Sequence, residues 1–245
     1  MILPNPKEAL HQSQLYKLLI EIADNSLLSK GLVFKGGTCA AMQRCLDRFS
    51  VDLDFDLAIN TSKELIQKEL EQIFSDLGLE IKGQSQKTIQ YVLKYSSPKN
   101  LRNTLQFDAI GLSLPENATQ PVFLADIDRY LICQTVETMF ANKLVAVLDR
   151  YDKHKIVAGR DIYDIYYCFL NNYRYHDKII QKRTNLPVRQ YLKKLLNFIE
   201  EKVTQTDINE DLNTLLPPQK FRTIRKSLKA EVVGMLKNEI ERLEI

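Results

Sequence analysis

Hydrophobic positions change period several times along the chain, and each change predicts an element. Residues 7–29 space Leu15, Leu18, Leu19, Ile22 and Leu27 at about 3.6 residues, as in an amphipathic helix. Leu32-Val33-Phe34 is a short apolar run stopped by Gly36-Gly37, the pattern of a buried strand entering a tight turn. The next segment predicts a helix over 38–45 capped by Thr38. Residues 51–57 alternate strictly between apolar and acidic, which is a strand signature. Helical spacing returns over 62–77, and strand-like pieces follow at 79–82, 88–95 and 101–112. Beyond about residue 130 the pattern predicts helices only, at 136–151, 161–170, 187–203 and 218–244, with Pro217-Pro218 separating the last two. The fold class is α+β: a mixed sheet with flanking helices over 1–130, then a helical domain over 131–245, joined without a flexible hinge.

Composition narrows the class. With 44% hydrophobic and 27% charged residues, the chain is neither mostly disordered nor collagen-like. No apolar run approaches the ~18 residues of a membrane span, and the first residues lack signal-peptide features, so no membrane partner is expected. Cys39, Cys45, Cys133 and Cys168 contain no C-x-x-C pair. His11, His154 and His176 are scattered, and each is expected to be exposed. Both facts argue against structural zinc or a disulfide scaffold and predict a cytoplasmic protein. The net charge of +3 conceals an asymmetry, −2 over residues 1–173 and +5 over 174–245. Basic side chains gather at Arg174, Lys178, Lys182, Arg183, Arg189, Lys193 and Lys194, and again at Lys220, Arg222, Arg225, Lys226 and Lys229. That permits a nucleic-acid partner, although solvated helix faces would produce the same clusters.

The chemistry concentrates early in the chain. Alternation places Asp52, Asp54 and Asp56 on one face of their strand. Carboxylates two residues apart on one face repel unless a cation lies between them, and Mg2+ shares its oxygen shell with substrate phosphates. Gly36-Gly37-Thr38 offers close backbone approach and N–H groups at a helix start, as a triphosphate requires. An exposed edge strand would also show alternating acids. The order Gly-Gly-Thr, thirteen intervening residues, then Asp-x-Asp is what favours a site. Asp108, inside the apolar stretch 105–110, is either a third carboxylate of a two-cation cage or a strand-end acid facing water. Ser/His/Asp and Cys/His hydrolase arrangements find no support, and Tyr163, Tyr166 and Tyr167 read as core.

Residues 32–38 (LVFKGGT) and 47–55 (DRFSVDLDF) together resemble the AbiEii/AbiGii toxin family of the nucleotidyltransferase superfamily. Ala141-Asn142-Lys143-Leu144-Val145-Ala146 resembles that family's helical Lys motif, and Arg160-Asp161-Ile162-Tyr163-Asp164-Ile165 its Arg-Asp-x-x-Asp helix. The resemblance implies a nucleotidyltransferase fold, an NTP substrate, Mg2+, and a cognate antitoxin or phage-exclusion pairing. It implies that Asp52 and Asp54 hold the metal, that Gly36, Gly37, Thr38 and Ser50 hold the nucleotide, and that Lys143 neutralises phosphate charge. Asp161 and Asp164 share a helical face, Asp164 matching the family's second helical carboxylate better. Arg160 pairing Asp164 in its own helix, and a merely superficial Lys143, are the bland alternatives. Groups from both halves are expected to meet in one cleft. The function so implied is a nucleotidyltransferase toxin modifying an RNA acceptor, first of all a tRNA 3′ end. Rival readings are an NTP-binding module acting through a partner, and an antibiotic-modifying nucleotidyltransferase, which the basic tail disfavours.

Overall fold

A computed structural model describes residues 1–112 and 114–244; residues 113 and 245, and the side chains of Ile110 and Leu112, lie outside the described residues. Ile110, read from the sequence as apolar flank of Asp108, is therefore known by its backbone alone. The chain forms two compact units, Met1–Thr135 and Val136–Ile245.

The first unit contains α1 (Ala9–Asp24), α2 (Leu28–Gly31), β1 (Leu32–Lys35), α3 (Gly36–Met42), β2 (Asp52–Leu57), α4 (Lys63–Asp76), β3 (Glu80–Gln84), β4 (Ile89–Lys94), β5 (Thr104–Leu112), β6 (Thr119–Leu124) and β7 (Arg129–Gln134). Among the described residues its seven strands form one sheet in the order β3-β4-β5-β2-β1-β7-β6. The pairs β1–β7 and β2–β5 are parallel and the others antiparallel, so the sheet is mixed, with β2 at its centre. The sequence boundary at 130/131 falls inside β7, which pairs with both β1 and β6. β6 escapes the pattern because Pro121 interrupts it, and a proline is tolerated there because β6 is an edge strand.

Three local expectations need correction. The helix read over 7–29 is a 3-10 turn at Pro6–Glu8, then α1, then α2. Asn25 makes the break: its side-chain oxygen accepts the Leu27 and Leu28 N–H groups at 2.9 and 3.0 Å. Helix α3 begins at Gly36, and Thr38 does not cap it; the buried Thr38 hydroxyl instead donates to the Asp52 carbonyl at 2.5 Å. His11, expected in solvent, is 1% exposed. It lies four residues before Leu15, on the same buried stripe of α1.

One face of the sheet is aromatic. Phe34 stacks on Phe55 at 5.0 Å and Phe55 on Phe107 at 5.2 Å, crossing β1, β2 and β5. Phe74 of α4 meets Tyr91 edge-on at 5.1 Å. These side chains are essentially fully buried and form the densest part of the core, each worth several kcal/mol of transfer and packing. Burying this face leaves the alternate positions of β2, the three aspartates, on the other.

The second unit is helical: α5 (Val136–His154), α6 (Gly159–Leu170), α7 (Asp177–Thr184), α8 (Val188–Lys202), α9 (Gln205–Leu212), α10 (Pro218–Ile224) and α11 (Leu228–Arg242). The helix read over 218–244 is split, because Ser227 N–H turns back to the Ile224 carbonyl at 3.1 Å. α5 and α6 pack through Phe140 and Phe169, whose rings meet edge-on at 5.0 Å. α6 approaches α9 so closely that a Cβ at Gly159 would lie 2.5 Å from the Asp207 carbonyl. Tyr163 is buried, while Tyr166 and Tyr167 are partly exposed.

His11 ties three parts of the first unit together. Its Nε2 lies 2.8 Å from the Val51 carbonyl, which makes that nitrogen the donor, so Nδ1 accepts the Tyr95 hydroxyl at 2.7 Å. Burial lowers its pKa from 6.5 to about 4; the Val51 bond opposes the shift and the Arg102 charge adds to it. The unfolded chain therefore takes up a proton near 6.5 that the folded protein refuses until about 4. The His11 contribution to stability is complete above about 6.5 and is lost as pH falls toward about 4. Urea midpoints measured at pH 7, 5.5 and 4.5 should fall more steeply for the wild type than for His11→Gln. Parallel pH dependence in the two proteins would remove His11 as the cause.

Candidate active site

The candidate site starts from the junction of β1 with α3. The chain leaves β1 at Lys35 and enters α3 through Gly36, whose φ of +80° is the left-handed region that favours glycine. A Cβ on Gly36 would lie 2.3 Å from Asp54 Oδ2. A Cβ on Gly37 would lie 2.7 Å from Ser50 Oγ and 3.0 Å from Arg48 Nη2. Both glycines are thus required by space, and through them the Gly-Gly segment touches the Ser-x-Asp-x-Asp segment. The Thr38 bond to the Asp52 carbonyl adds a third tie between the same two segments.

Sheet register extends the site sideways. Asp54 is opposite Lys35 on β1 and opposite Asp108 on β5, so all three share one face. Gln90 on β4 is opposite Asp108 and donates to it at 3.4 Å. Burial raises the Asp108 pKa, the Gln90 bond and the Lys35 charge oppose this, and the Asp52 charge reinforces it. Asp56 is 4% exposed and is held by Lys35 Nζ at 2.5 Å and by Gln134 Nε2 at 2.8 Å. Lys35, Arg48 and Gln134 are absent from the residues singled out in the sequence. Lys35 and Arg48 lie inside the quoted motifs, but nothing local to β7 marks Gln134.

Among the described residues, no three His, Cys, Asp or Glu side chains are grouped so as to hold a metal ion by themselves. Asp52, Asp54 and Asp108, the three carboxylates expected around a metal, do not form such a group; Mg2+ is usually held by one or two carboxylates with the remaining positions filled by phosphate oxygens and water. Asp52 and Asp54, adjacent on one face of a central strand, have the donor chemistry for it.

The second unit contributes a separate constellation. Lys143 of α5 forms an ion pair with Asp164 of α6, whose side chain is fully buried. Two turns further along α5 and one turn back on α6, Arg150 Nε donates to Asp161 Oδ2 at 2.9 Å, and Asp161 is 8% exposed. Two basic residues of α5 thus clamp two acids of α6. Arg160 uses its backbone N–H on Asp211 at 3.3 Å. Lys143 is 14% exposed, so it is not a superficial helix residue. Lys143→Met should destabilise the protein by about 3–5 kcal/mol, because it removes the opposite charge that faces the buried Asp164 carboxylate. Lys143→Met/Asp164→Asn should regain most of that loss. Chemical denaturation tests both, and a single variant within about 1 kcal/mol of wild type would show that the pair carries little.

Two solved structures share this fold. JHP933 from Helicobacter pylori superposes with a TM-score of 0.60 at 18% identity, covering 98% of this chain and 94% of its own. A candidate nucleotidyltransferase from H. pylori gives 0.63 at 18% identity, covering 98% and 97%. No curated protein matches the chain. The family model for the nucleotidyl transferase AbiEii toxin of type IV toxin–antitoxin systems matches residues 17–230. A match over that much of the sequence makes this chain a member of the AbiEii family, and so a nucleotidyltransferase of a type IV toxin–antitoxin system.

Proposed function

We propose that the chain transfers a nucleotidyl group from an NTP to an RNA acceptor, a tRNA 3′ end in the first instance, with the help of Mg2+. The observation that carries the reading is the contact of Gly36 and Gly37 with Asp54 and Ser50. A phosphate-approaching backbone and a pair of carboxylates are thereby set side by side. In the reaction an acceptor hydroxyl oxygen bonds to the α-phosphorus and pyrophosphate leaves. Asp52 and Asp54 are the proposed metal ligands, and the bound cation would neutralise phosphate charge as it develops. Gly36, Gly37 and Thr38 present backbone N–H groups to the triphosphate, with Ser50 beside them. Asp108, with its raised pKa, is the carboxyl of this face best suited to accept the acceptor's proton, or else to assist at the metal. Lys143 is assigned to phosphate charge, with Asp161 and Asp164 orienting the basic groups of α5.

An RNA acceptor is supported by the excess positive charge of residues 174–245. Membership of a type IV toxin family implies an NTP substrate and a cognate antitoxin. Among the described residues no helix is long and apolar enough to cross a membrane. None of the four cysteines is joined in a disulfide, in keeping with the cytoplasm as the proposed place of action.

The test is incubation with each labelled NTP, Mg2+ and total tRNA. Wild type should transfer label to RNA, whereas Asp52→Asn and Asp54→Asn should lose transfer by at least about a hundredfold while melting no lower than wild type. Removing one of two like charges on a shared face relieves repulsion, so either variant should fold at least as well. A variant that keeps near wild-type transfer would eliminate its residue as a ligand, and the absence of label on any RNA would eliminate the acceptor.

A further inference from the structure

Lys35 is the feature of the acidic face that the proposed reaction leaves unexplained. Its position opposite Asp54 puts it on the face that carries Asp52, Asp54, Asp56 and Asp108. The ammonium lies 2.5 Å from Asp56 Oδ1, and Gln134 holds the other Asp56 oxygen at 2.8 Å. Asp56 is therefore satisfied from two sides and fixed, and it fixes Lys35 in turn. The Lys35 charge is felt as far as the Asp108 carboxyl, two strands away in the order β1-β2-β5. With its side chain 29% exposed, Lys35 is only partly screened by water.

We propose that Lys35 is a built-in counter-cation that keeps a divalent metal ion from settling on this face by itself. A fixed ammonium lowers the negative potential of the face, so a bare M2+ gains less from Asp52 and Asp54 than the carboxylates alone would give. A nucleotide triphosphate brings several negative charges, which offset the ammonium and restore the attraction for metal. Metal and nucleotide are then taken up together, and an idle protein does not fill with Mg2+. Lys35 acts in this as a positioning residue for charge, through the carboxylates, and the inference rests on the metal site assigned above to Asp52 and Asp54.

Binding of Mn2+ alone to the full-length protein, followed by electron paramagnetic resonance, is the direct test. Lys35→Gln removes the charge while retaining a donor for Asp56, and should lower the Mn2+ Kd about tenfold, the order expected of a dication and one unit charge several Å apart at a dielectric constant near that of water, about 80. Lys35→Arg, which keeps the charge, should stay within about twofold of wild type. Should Lys35→Gln fail to fold, Asp56→Asn is the converse test: it leaves the ammonium unopposed on the face and should raise the Mn2+ Kd about tenfold. A merely structural Lys35 predicts a Kd that is unchanged or higher in Lys35→Gln and unchanged in Asp56→Asn, and that result overturns the inference. Adding Asp54→Asn to Lys35→Gln separates the two ideas. Loss of the gained Mn2+ affinity supports both, whereas affinity that survives without the Asp54 carboxylate places the ion elsewhere and overturns the metal-site reading and the inference with it.

Discussion

The first unit is organised around a lack of room. Where β1 turns into α3, the backbone at residue 36 approaches the Asp54 carboxylate more closely than any side chain allows. At residue 37 the same is true of Ser50 and Arg48. Two segments, a glycine turn and an acidic strand, are thus held in contact by the absence of two β-carbons. The aromatic row on the other side of the sheet keeps the strands in register so that this contact is made. Phe34 and Phe55 stack directly behind Lys35 and Asp54, one residue along each strand. Packing and site are two faces of the same pairing, and a one-residue slip would send the acids into the core and the aromatics into water.

Charge on the acidic face is then managed by neighbours rather than by dilution. Asp56 is paired with the Lys35 charge and braced by a hydrogen bond from Gln134, and burial raises the Asp108 pKa, with Gln90 and Lys35 restraining the shift. Asp52 and Asp54 stay partly exposed. The second unit solves a related problem in the opposite manner, by taking both of its acids inside and supplying each with a dedicated base from α5. Breaking such a buried pair is costly, which gives α5 and α6 a fixed register against each other.

How much of this was legible in the sequence depends on distance along the chain. The alternation of residues 51–57, the glycine pair and the order of the four motifs are local patterns, and they carried the fold class and the family. Strand β6 was hidden because Pro121 breaks the period, and the 3-10 turn and the Asn25 break were hidden inside a helix-like spacing. His11 was misplaced because a histidine near a terminus looks superficial, although its spacing from Leu15 already put it on the buried stripe. The partnership of Asp56 with Gln134 spans 78 positions, and no periodicity connects residues so far apart. Side-chain roles set by tertiary partners are the part that a pattern does not contain.

That separation of 78 residues between Asp56 and Gln134 has a consequence in time. A ribosome elongating at roughly 5–20 residues per second emits the β1–α3–β2 segment roughly 4–16 seconds before the glutamine that braces Asp56. Until β7 arrives beside β1, the Asp56 carboxylate lacks one of its two supports and the sheet ends at an open β1 edge. For that interval the nascent chain has its motifs but not its assembled acidic face.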